Sequence, residues 1–311
     1  MKRKLFFAAA LSVFTGLAGL ANADSNTSVI NQFGEDSVNP NYAEQVQYDS
    51  YQSAVINQLG AGNYAYQDQS GASASGLSNY AEINQTGYFN SAEQNQVQTG
   101  NGSNYATIDQ VGDYNYALQT QVGSWNYGSI IQVGTGRAVE RVVIGDYNYG
   151  EISQMDYDTA MEYQVGTGNY AQIIQGGLAG GFNYAYQYQE GNFNSGVINQ
   201  SGFGNTVAQE QYGDLNTAST IQLGSLNEAS VMQVGTGNTA TQLQAGTANS
   251  ASIYQLGDLN SATQIQTGIG NIAVASQTGY SNTIVQTQNG SYNTSYVTQT
   301  GTGNIANVTQ W

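Results

Sequence analysis

The chain has 311 residues and a formal net charge of −16, with 40% hydrophobic and only 8% charged residues. It contains no cysteine, which excludes disulfide bonds, and no histidine, which leaves few candidates for catalysis or metal binding. The excess of acidic residues argues against binding to nucleic acid or to an anionic membrane surface.

The N-terminal segment has the three parts of a secretory signal peptide. Residues 1–4 (MKRK) include three basic residues, residues 5–20 form an apolar run, and residues 21–23 (ANA) form a small-residue cleavage site. A transmembrane anchor is disfavoured because the apolar run is short for a span and a polar chain follows it. We therefore predict a signal peptide over residues 1–23, cleavage before Asp24 and no membrane insertion. Cleavage leaves two basic residues against 21 acidic ones, a net charge of −19.

An eleven-residue motif, Q-x-G-x-x-N-x-A-x-x-x, recurs along the rest of the chain. In residues 24–188 it is irregular and rich in tyrosine, with an insertion at residues 72–75 and a slip at residues 176–181. In residues 189–311 it is regular. We count about 25 units in all and predict one continuous repeat structure across both regions.

The regular region holds three residue types in fixed register. Its glutamines fall at Gln189, Gln200, Gln211, Gln222, Gln233, Gln244, Gln255, Gln266, Gln277, Gln288, Gln299 and Gln310. Its asparagines fall at Asn194, Asn205, Asn216, Asn227, Asn238, Asn249, Asn260, Asn271, Asn282, Asn293 and Asn304. Its glycines fall at Gly191, Gly202, Gly213, Gly224, Gly235, Gly246, Gly257, Gly268, Gly279, Gly290 and Gly301. The first copies of the motif contribute Gln32, Asn41 and Gln47.

Each unit is predicted to be a short strand followed by a tight turn. The alternate positions Asn227, Ala229, Val231 and Gln233 show a period of two, which indicates a strand with one face turned inward. The Thr, Ser and Val residues that recur between such positions along the repeat suit strands. The segment x-G-x-x-N is turn chemistry, because Gly permits positive φ and Asn tolerates the left-handed region. A helix is disfavoured because Gly and Asn would interrupt it every eleven residues.

Two arrangements of these strands are open, an antiparallel meander and a coil of two strands and two turns. The variable inward position favours the coil, because apolar residues and glutamine alternate there and like residues recur every 22 residues, at Val231, Gln242, Ile253, Gln264, Ala275, Gln286 and Val297. We predict an all-β fold, a parallel two-sheet β-solenoid with 22 residues per coil, one sheet richer in Val and Ile and the other in Gln. On assembly it would form cross-β structure.

In such a coil the Gln and Asn columns would form ladders. Strands in a sheet lie about 4.8 Å apart, so one side-chain amide can donate to the identical amide in the next coil. The glycines would form the corners. Neither end of the repeat array shows a polar or helical cap in the sequence, so the last coil of one molecule could pair with the first coil of another and make a filament.

Residues 109–117 (DQVGDYNYA) and the other copies closely resemble the curlin repeat, the unit of the secreted subunits of bacterial curli amyloid fibres. The resemblance covers nearly all of the chain after residue 23. It implies a β-solenoid subunit without cofactor or bound metal, secretion through an outer-membrane pore, polymerisation from a nucleator subunit at the cell surface, and a role in biofilm matrix and adhesion. It also implies that the terminal Gln and Asn drive assembly, here Gln32, Asn41, Gln47, Asn293, Gln299, Asn304 and Gln310.

The resemblance leaves the type of curlin subunit open. The chain has about twice the repeats of the familiar major subunit and no Gly-rich leader, whereas the near-equivalence of its units resembles the minor, nucleating subunit. That subunit tends to be basic near its end, and this chain is acidic. We therefore favour the fibre-forming subunit.

Three further features are interpreted conservatively. Tyrosines that follow the motif Asn, such as Tyr105 and Tyr127, are expected to face outward and to stack across strands. Aspartates after the turn Gly, such as Asp113, are expected to be solvated turn residues rather than calcium ligands. Arg137 and Arg141 interrupt the columns and are expected to form a local defect, with Glu140 as a partner.

Two other functions compete with the structural subunit. A discrete, capped β-solenoid could bind a surface, ice or a carbohydrate. A solenoid hydrolase is disfavoured because there is no histidine and no fixed carboxylate cluster. We predict no catalytic residues, so the chain is expected not to be an enzyme.

Overall fold

The computed structural model describes residues 26–34, 39–48, 51–71, 79–177 and 181–311. The predicted signal peptide and the insertion at residues 72–75 lie outside these residues. The described chain forms 25 strands. In chain order they are β1 (Thr27–Phe33), β2 (Tyr42–Gln47), β3 (Ser53–Ala61), β4 (Tyr64–Ser70), β5 (Tyr80–Tyr88), β6 (Ser91–Gln98), β7 (Tyr105–Val111), β8 (Tyr116–Gly123), β9 (Tyr127–Val133), β10 (Ala138–Ile144), β11 (Tyr149–Met155), β12 (Thr159–Val165), β13 (Tyr170–Gly176), β14 (Tyr184–Glu190), β15 (Ser195–Phe203), β16 (Thr206–Tyr212), β17 (Thr217–Ser225), β18 (Glu228–Val234), β19 (Thr239–Thr247), β20 (Ser250–Asp258), β21 (Ser261–Ile269), β22 (Ile272–Tyr280), β23 (Thr283–Ser291), β24 (Thr294–Thr302) and β25 (Ile305–Gln310).

The strands form two sheets that wind as one coil. Odd-numbered strands make a 13-stranded sheet, here sheet 1, and even-numbered strands make a 12-stranded sheet, here sheet 2. All pairs are parallel, and β17 pairs with β19 with Gln222 opposite Gln244, 22 residues on. The predicted two-sheet parallel β-solenoid is therefore confirmed, and the meander is excluded.

Alternation along each strand places the motif residues inside. In β19 the side chains of Ala240, Gln242 and Gln244 are buried, whereas Thr239 is exposed and Thr241 half-buried. Ala has the smallest side chain with a Cβ, so the two sheets can approach closely at its column. The interior is consequently built from small apolar groups and from amides, which need hydrogen-bond partners when they are buried.

The apolar column, formed by the apolar residues at the variable inward position between the motif Ala and Gln, changes from one sheet to the other. This finding corrects the expectation that one sheet is richer in Val and Ile along the whole solenoid. From Ile56 to Ile198 the buried isoleucines lie in sheet 1, and from Val231 onward the corresponding apolar residues lie in sheet 2. The column switch occurs at Thr220. The predicted pattern holds over residues 231–297, and the upstream units have the opposite phase.

The glutamines of the variable position cross over at the same level. Gln209 in sheet 2 donates its amide Nε2 to the Thr220 hydroxyl in sheet 1 at 2.8 Å. Thr220 in turn donates to the Gln242 Oε1 at 3.4 Å. The polar and apolar columns therefore exchange sheets without a charged residue between them.

The corners need glycine for two separate reasons. Gly235 has φ of +126°, and a Cβ there would lie 2.1 Å from the carbonyl oxygen of Gly257 in the next coil. The second left-handed residue is the one before the motif Asn, and it is often bulky, as at Leu215, Leu259 and Tyr292. The motif Asn itself does not have a positive φ, so the expectation that it supplies the left-handed conformation is wrong.

Replacing a corner glycine tests the close approach separately from the backbone conformation. Gly235→Ala should destabilise the fold by more than about 2 kcal/mol, because the methyl group meets a carbonyl and the left-handed backbone is strained. Gly303→Ala is the matched control, since its φ is +66° and no atom lies within 4 Å of the added Cβ; about 1 kcal/mol is expected. Denaturant unfolding of dilute monomer measures both, and equal losses would contradict the clash.

Candidate functional site: stacked amides and a buried ion pair

A complete glutamine ladder runs through sheet 1. Gln222 donates its amide to Gln244 at 2.8 Å, and Gln244 donates to Gln266 at 2.8 Å. The same contact joins thirteen glutamines with N–O distances from 2.7 to 3.4 Å, at Gln32, Gln58, Gln85, Gln110, Gln132, Gln154, Gln175, Gln200, Gln222, Gln244, Gln266, Gln288 and Gln310. Every donor points toward the C-terminal coil.

The corresponding ladder in sheet 2 has one break. Gln47 begins a run that ends at Gln121, where Val143 takes the next place. It resumes at Gln164 and reaches Gln299 through Gln189, Gln211, Gln233, Gln255 and Gln277. Arg141 partly bridges the break, because its guanidinium donates to the Gln164 Oε1 at 3.4 Å.

Most ladder amides also tie the two sheets together. The second Nε2 hydrogen of Gln233 in sheet 2 is donated to the backbone carbonyl of Thr217 in sheet 1 at 3.0 Å, and Gln244 in sheet 1 donates to the carbonyl of Glu228 in sheet 2 at 2.9 Å. A buried amide that lost these partners would cost about 1–3 kcal/mol. The glutamines therefore join successive coils and facing sheets at once.

The motif asparagines clamp the corners. The Asn216 side-chain amide donates to the carbonyl of Gly235 at 2.9 Å, and its Oδ1 accepts from the backbone N–H and the amide of Asn238, both at 3.1 Å. The backbone N–H contact to the preceding Asn side chain repeats at Asn194, Asn205, Asn216, Asn227, Asn238, Asn249, Asn260, Asn271, Asn282, Asn293 and Asn304.

The predicted terminal residues lie at the two ends of these columns. Gln32 and Gln47 donate to Gln58 and Gln69, and Asn41 accepts from Asn63. At the other end Gln299 and Gln310 accept from Gln277 and Gln288, whereas Asn293 and Asn304 are reached through their backbone N–H groups. Among the described residues each terminal Gln has one ladder neighbour of its column, where an interior Gln away from the break at Val143 has two.

An ion pair is buried where the sheet 2 columns are interrupted. Arg141 Nε lies 2.8 Å from Glu162 Oε1, and both side chains are fully buried. Arg137 is also buried, and its Nη2 lies 3.1 Å from Oδ1 of the half-exposed Asp156. The expected pairing with Glu140 is wrong: Glu140 is adjacent to Arg141 in a strand, so the two side chains point to opposite faces.

Two glycines make room for the buried pair. Gly128 and Gly150 replace the Ala of the sheet 1 column, and a Cβ on Gly128 would lie 2.1 Å from the Arg141 guanidinium. A Cβ on Gly150 would lie 2.0 Å from Glu162 Oε1. This compensation was not predicted, although the sequence contains its signal, a glycine in the alanine column opposite a charged residue.

Desolvation has the largest effect on the carboxyl pKa values in the charged cluster formed by Arg137, Arg141, Asp158 and Glu162. Burial raises the pKa of Glu162 to about 7 despite the attraction of Arg141, and burial raises the pKa of Asp158 to about 6. Among the described residues, Glu162 Oε2 and both amide atoms of the neighbouring Gln187 have no hydrogen-bond partner. The cluster is therefore the least satisfied part of an otherwise paired interior.

The corner aspartates do more than face the solvent. Asp146 Oδ1 accepts the backbone N–H of Ser124 at 2.8 Å, and Asp258 accepts that of Thr236 at 2.8 Å. Asp113 and Asp214 make the same bond to the preceding coil. The expectation of purely solvated turn residues is corrected, because each carboxylate fastens one corner to its neighbour.

The outward tyrosines stack along the solenoid axis as expected. Rings of Tyr105, Tyr127, Tyr149 and Tyr170 follow one another in sheet 1 with centroids 4.8–5.2 Å apart and nearly parallel planes. Tyr80 extends this row, at 4.9 Å from Tyr105. Since the ring faces are occupied by one another, mainly the hydroxyl edges meet the solvent.

The described residues contain no group of three or more His, Cys, Asp or Glu side chains arranged to hold a metal ion. In the part of the chain that the structure covers, no helix is long and apolar enough to cross a membrane.

These features define a β-solenoid whose interior is organised by amide ladders. The sequence profile of the curlin associated repeat matches residues 213–242 and 246–279. These two segments therefore carry the curlin associated repeat, which confirms the resemblance found in the sequence. The repeat is that of a curli-type structural subunit in general. Comparison with curated proteins gives no match.

A double-mutant cycle tests the buried pair. Arg141→Gln should cost about 3–5 kcal/mol, because it leaves the Glu162 carboxyl buried without its partner. The double variant with Glu162→Gln should recover most of this loss, because glutamine would then occupy the column without interruption from Gln45 to Gln209. Denaturant unfolding of dilute monomer gives the coupling energy, and additive losses would show that the pair does not interact.

The buried carboxyls predict a stability that falls with rising pH. Because the folded-state pKa of Glu162 is about 7 and its ordinary value is 4.5, the folded state binds more protons between these values. The contribution is present below about pH 4.5 and is lost as the pH rises through 7; Asp158 acts in the same direction. The denaturant midpoint should be lower at pH 8 than at pH 5.

A variant carrying both Glu162→Gln and Asp158→Asn should show a flatter pH profile, because neither group then titrates. Glu228→Gln, at an exposed position, is the control and should keep the wild-type slope. An unchanged slope in the double variant would assign the pH dependence to other groups.

Proposed function

We propose that this protein is a secreted structural subunit that polymerises into curli-like extracellular fibres of a biofilm matrix and serves in adhesion. The observation that carries the proposal is that both ends of the described solenoid are open sheet edges with an unfinished ladder. A strand of a second copy can pair with such an edge through backbone and side-chain bonds together.

The hydrogen-bond direction makes the two ends complementary. In most coils the first residue of a strand donates its N–H to the carbonyl of the motif Asn in the next coil, as Ile272 does to Asn293 and Thr283 to Asn304, both at 2.8 Å. In an extended strand alternate N–H groups point to the same side. In β24 and β25 these donors, including those of Thr298 and Thr309, therefore point toward the open end. Strands β1 and β2 present the matching acceptors.

The number of hydrogen bonds available between the end strands of two subunits supports assembly. Each added strand contributes several backbone hydrogen bonds at about 1 kcal/mol net, and the Gln and Asn columns add to these. We propose that assembly depends on the terminal residues Gln32, Asn41, Gln47, Asn293, Gln299, Asn304 and Gln310, with the interior ladder residues holding the solenoid in register. The corner glycines then keep successive coils at strand spacing.

The net charge and the N-terminal segment agree with secretion before assembly. A net charge of −19 after removal of residues 1–23 would keep subunits apart by mutual repulsion before they assemble. We propose passage through the periplasm and an outer-membrane secretion pore, with a separate nucleator subunit as partner. The chain would act as a non-enzymatic, fibre-forming subunit; the nucleating role is the second candidate, supported by the near-equivalence of its units.

Blocking the open edge tests the proposal. Residues 24–311, freed of denaturant, should polymerise after a lag, bind thioflavin and give a meridional reflection near 4.8 Å. The variant Thr298→Pro/Thr309→Pro removes two outward N–H donors and should lower seeded elongation at least tenfold. The matched Thr298→Ala/Thr309→Ala variant keeps the backbone donors and should elongate normally.

A protein that stays monomeric at high concentration with the circular dichroism of a folded β-protein would favour the capped solenoid instead. Equal elongation by the proline and alanine variants would show that growth does not use this edge.

A further inference from the structure

The number of strands decides how two subunits can join. The described chain has 25 strands, an odd number, and both β1 and β25 belong to sheet 1. Successive strands are related by a half-turn about the solenoid axis and a rise of half a coil. Since 25 half-turns leave a half-turn over, the solenoid does not end in the orientation in which it begins.

We propose that consecutive subunits in the fibre are rotated by a half-turn about its axis, so that sheet 1 of one subunit continues sheet 2 of the preceding one. The proposal rests on the fibre-forming function proposed above. In this joint β1 of the incoming copy pairs with β24, and β2 pairs with β25. The strand direction is kept, because a half-turn about the axis exchanges the two sheets together with their opposite strand directions.

The unrotated joint leaves a gap. If sheet 1 continued as sheet 1, β25 would pair with β1 of the next copy, but β24 and the next β2 would be two strand spacings apart, roughly 9.6 Å. One strand would be missing from sheet 2, and the facing N–H and C=O groups would have no partner. In the rotated joint every edge strand of the described solenoid is paired.

The interior columns also continue across the rotated joint. The apolar column ends in sheet 2 with Ala275 and Val297, and β1 begins it again with Ile30, which would lie on Val297. Because this column lies in sheet 1 for the first half of the chain and in sheet 2 for the second, the crossover at Thr220 makes the ends match.

The repeat ladders match in the same register. Gln299 would donate to Gln32, and Gln310 would donate to Gln47 of the next copy, which continues both ladders with their donor direction unchanged. Val308 is the one inward residue that meets an unlike neighbour, Gln45. The same neighbours already occur within the subunit, where Gln286 lies on Val308.

Engineered cysteines distinguish the two joints, because the natural chain has none. Neighbouring parallel strands place paired Cα atoms about 4.8 Å apart, within the range for a disulfide. The rotated joint brings Thr298 beside Asn31 of the next copy, whereas the unrotated joint brings Thr309 beside Asn31. All three side chains are exposed. The test pair is T298C/N31C, and T309C/N31C is its matched control.

Fibres grown under reduction and then oxidised should give a ladder of covalent oligomers on non-reducing gels for T298C/N31C, at least tenfold more abundant than for T309C/N31C. Each single-cysteine variant should stop at a dimer at most, which identifies lateral contacts. The reverse preference for T309C/N31C in normal fibres would overturn the rotation but leave the fibre-forming function in place. Fibres of normal morphology with no oligomers from either pair would overturn this joint as well. Absence of fibres in the wild-type protein would instead refute the proposed function.

Discussion

The contact on which the structure depends is one side-chain amide donating to the identical amide one coil away. In this solenoid the contact requires parallel strands in register, because only then does the strand spacing place each residue beside the identical residue of the next coil. The Gln222, Gln244 and Gln266 series shows it, with 2.8 Å between successive amides. The ladder keeps successive coils in register, and this register places the alanine column inside and the corner glycines of neighbouring coils against one another.

The interior is consequently held by hydrogen bonds more than by apolar volume. A buried amide is destabilising unless both its donors and its acceptor are used, so each missing partner weakens the column locally. The Arg141–Glu162 pair is the place where this occurs, with Gly128 and Gly150 providing the space. A buried pair of this kind contributes little net stability, because desolvation offsets most of the attraction.

Among the described residues, a coil at either end of the solenoid differs from an interior coil only in having no neighbouring coil on its outer side. Strands β24 and β25 carry the same motif as the coils below them, and they direct donors outward. Because the coils are equivalent, a further coil can pair with the last one as each coil pairs within the subunit. The interaction that stabilises the subunit is therefore the one proposed to join subunits. The odd strand number and the change of sheets at Thr220 then bear on the orientation of the joint.

The sequence by itself determined the strand-and-turn unit and the 22-residue coil, because the columns of Gln, Asn and Gly have an invariant spacing in residues 189–311 that a period of two converts directly into inward positions. Only the tertiary structure decided which contacts replace the ladder where it is broken. Arg141 finds Glu162 rather than Glu140 because its partner lies one coil away, 21 residues along the chain. Likewise the crossover at Thr220, the carboxylates that fasten the corners and the left-handed conformation of Leu215 depend on neighbours in adjacent coils. Such contacts join residues that a local pattern does not relate.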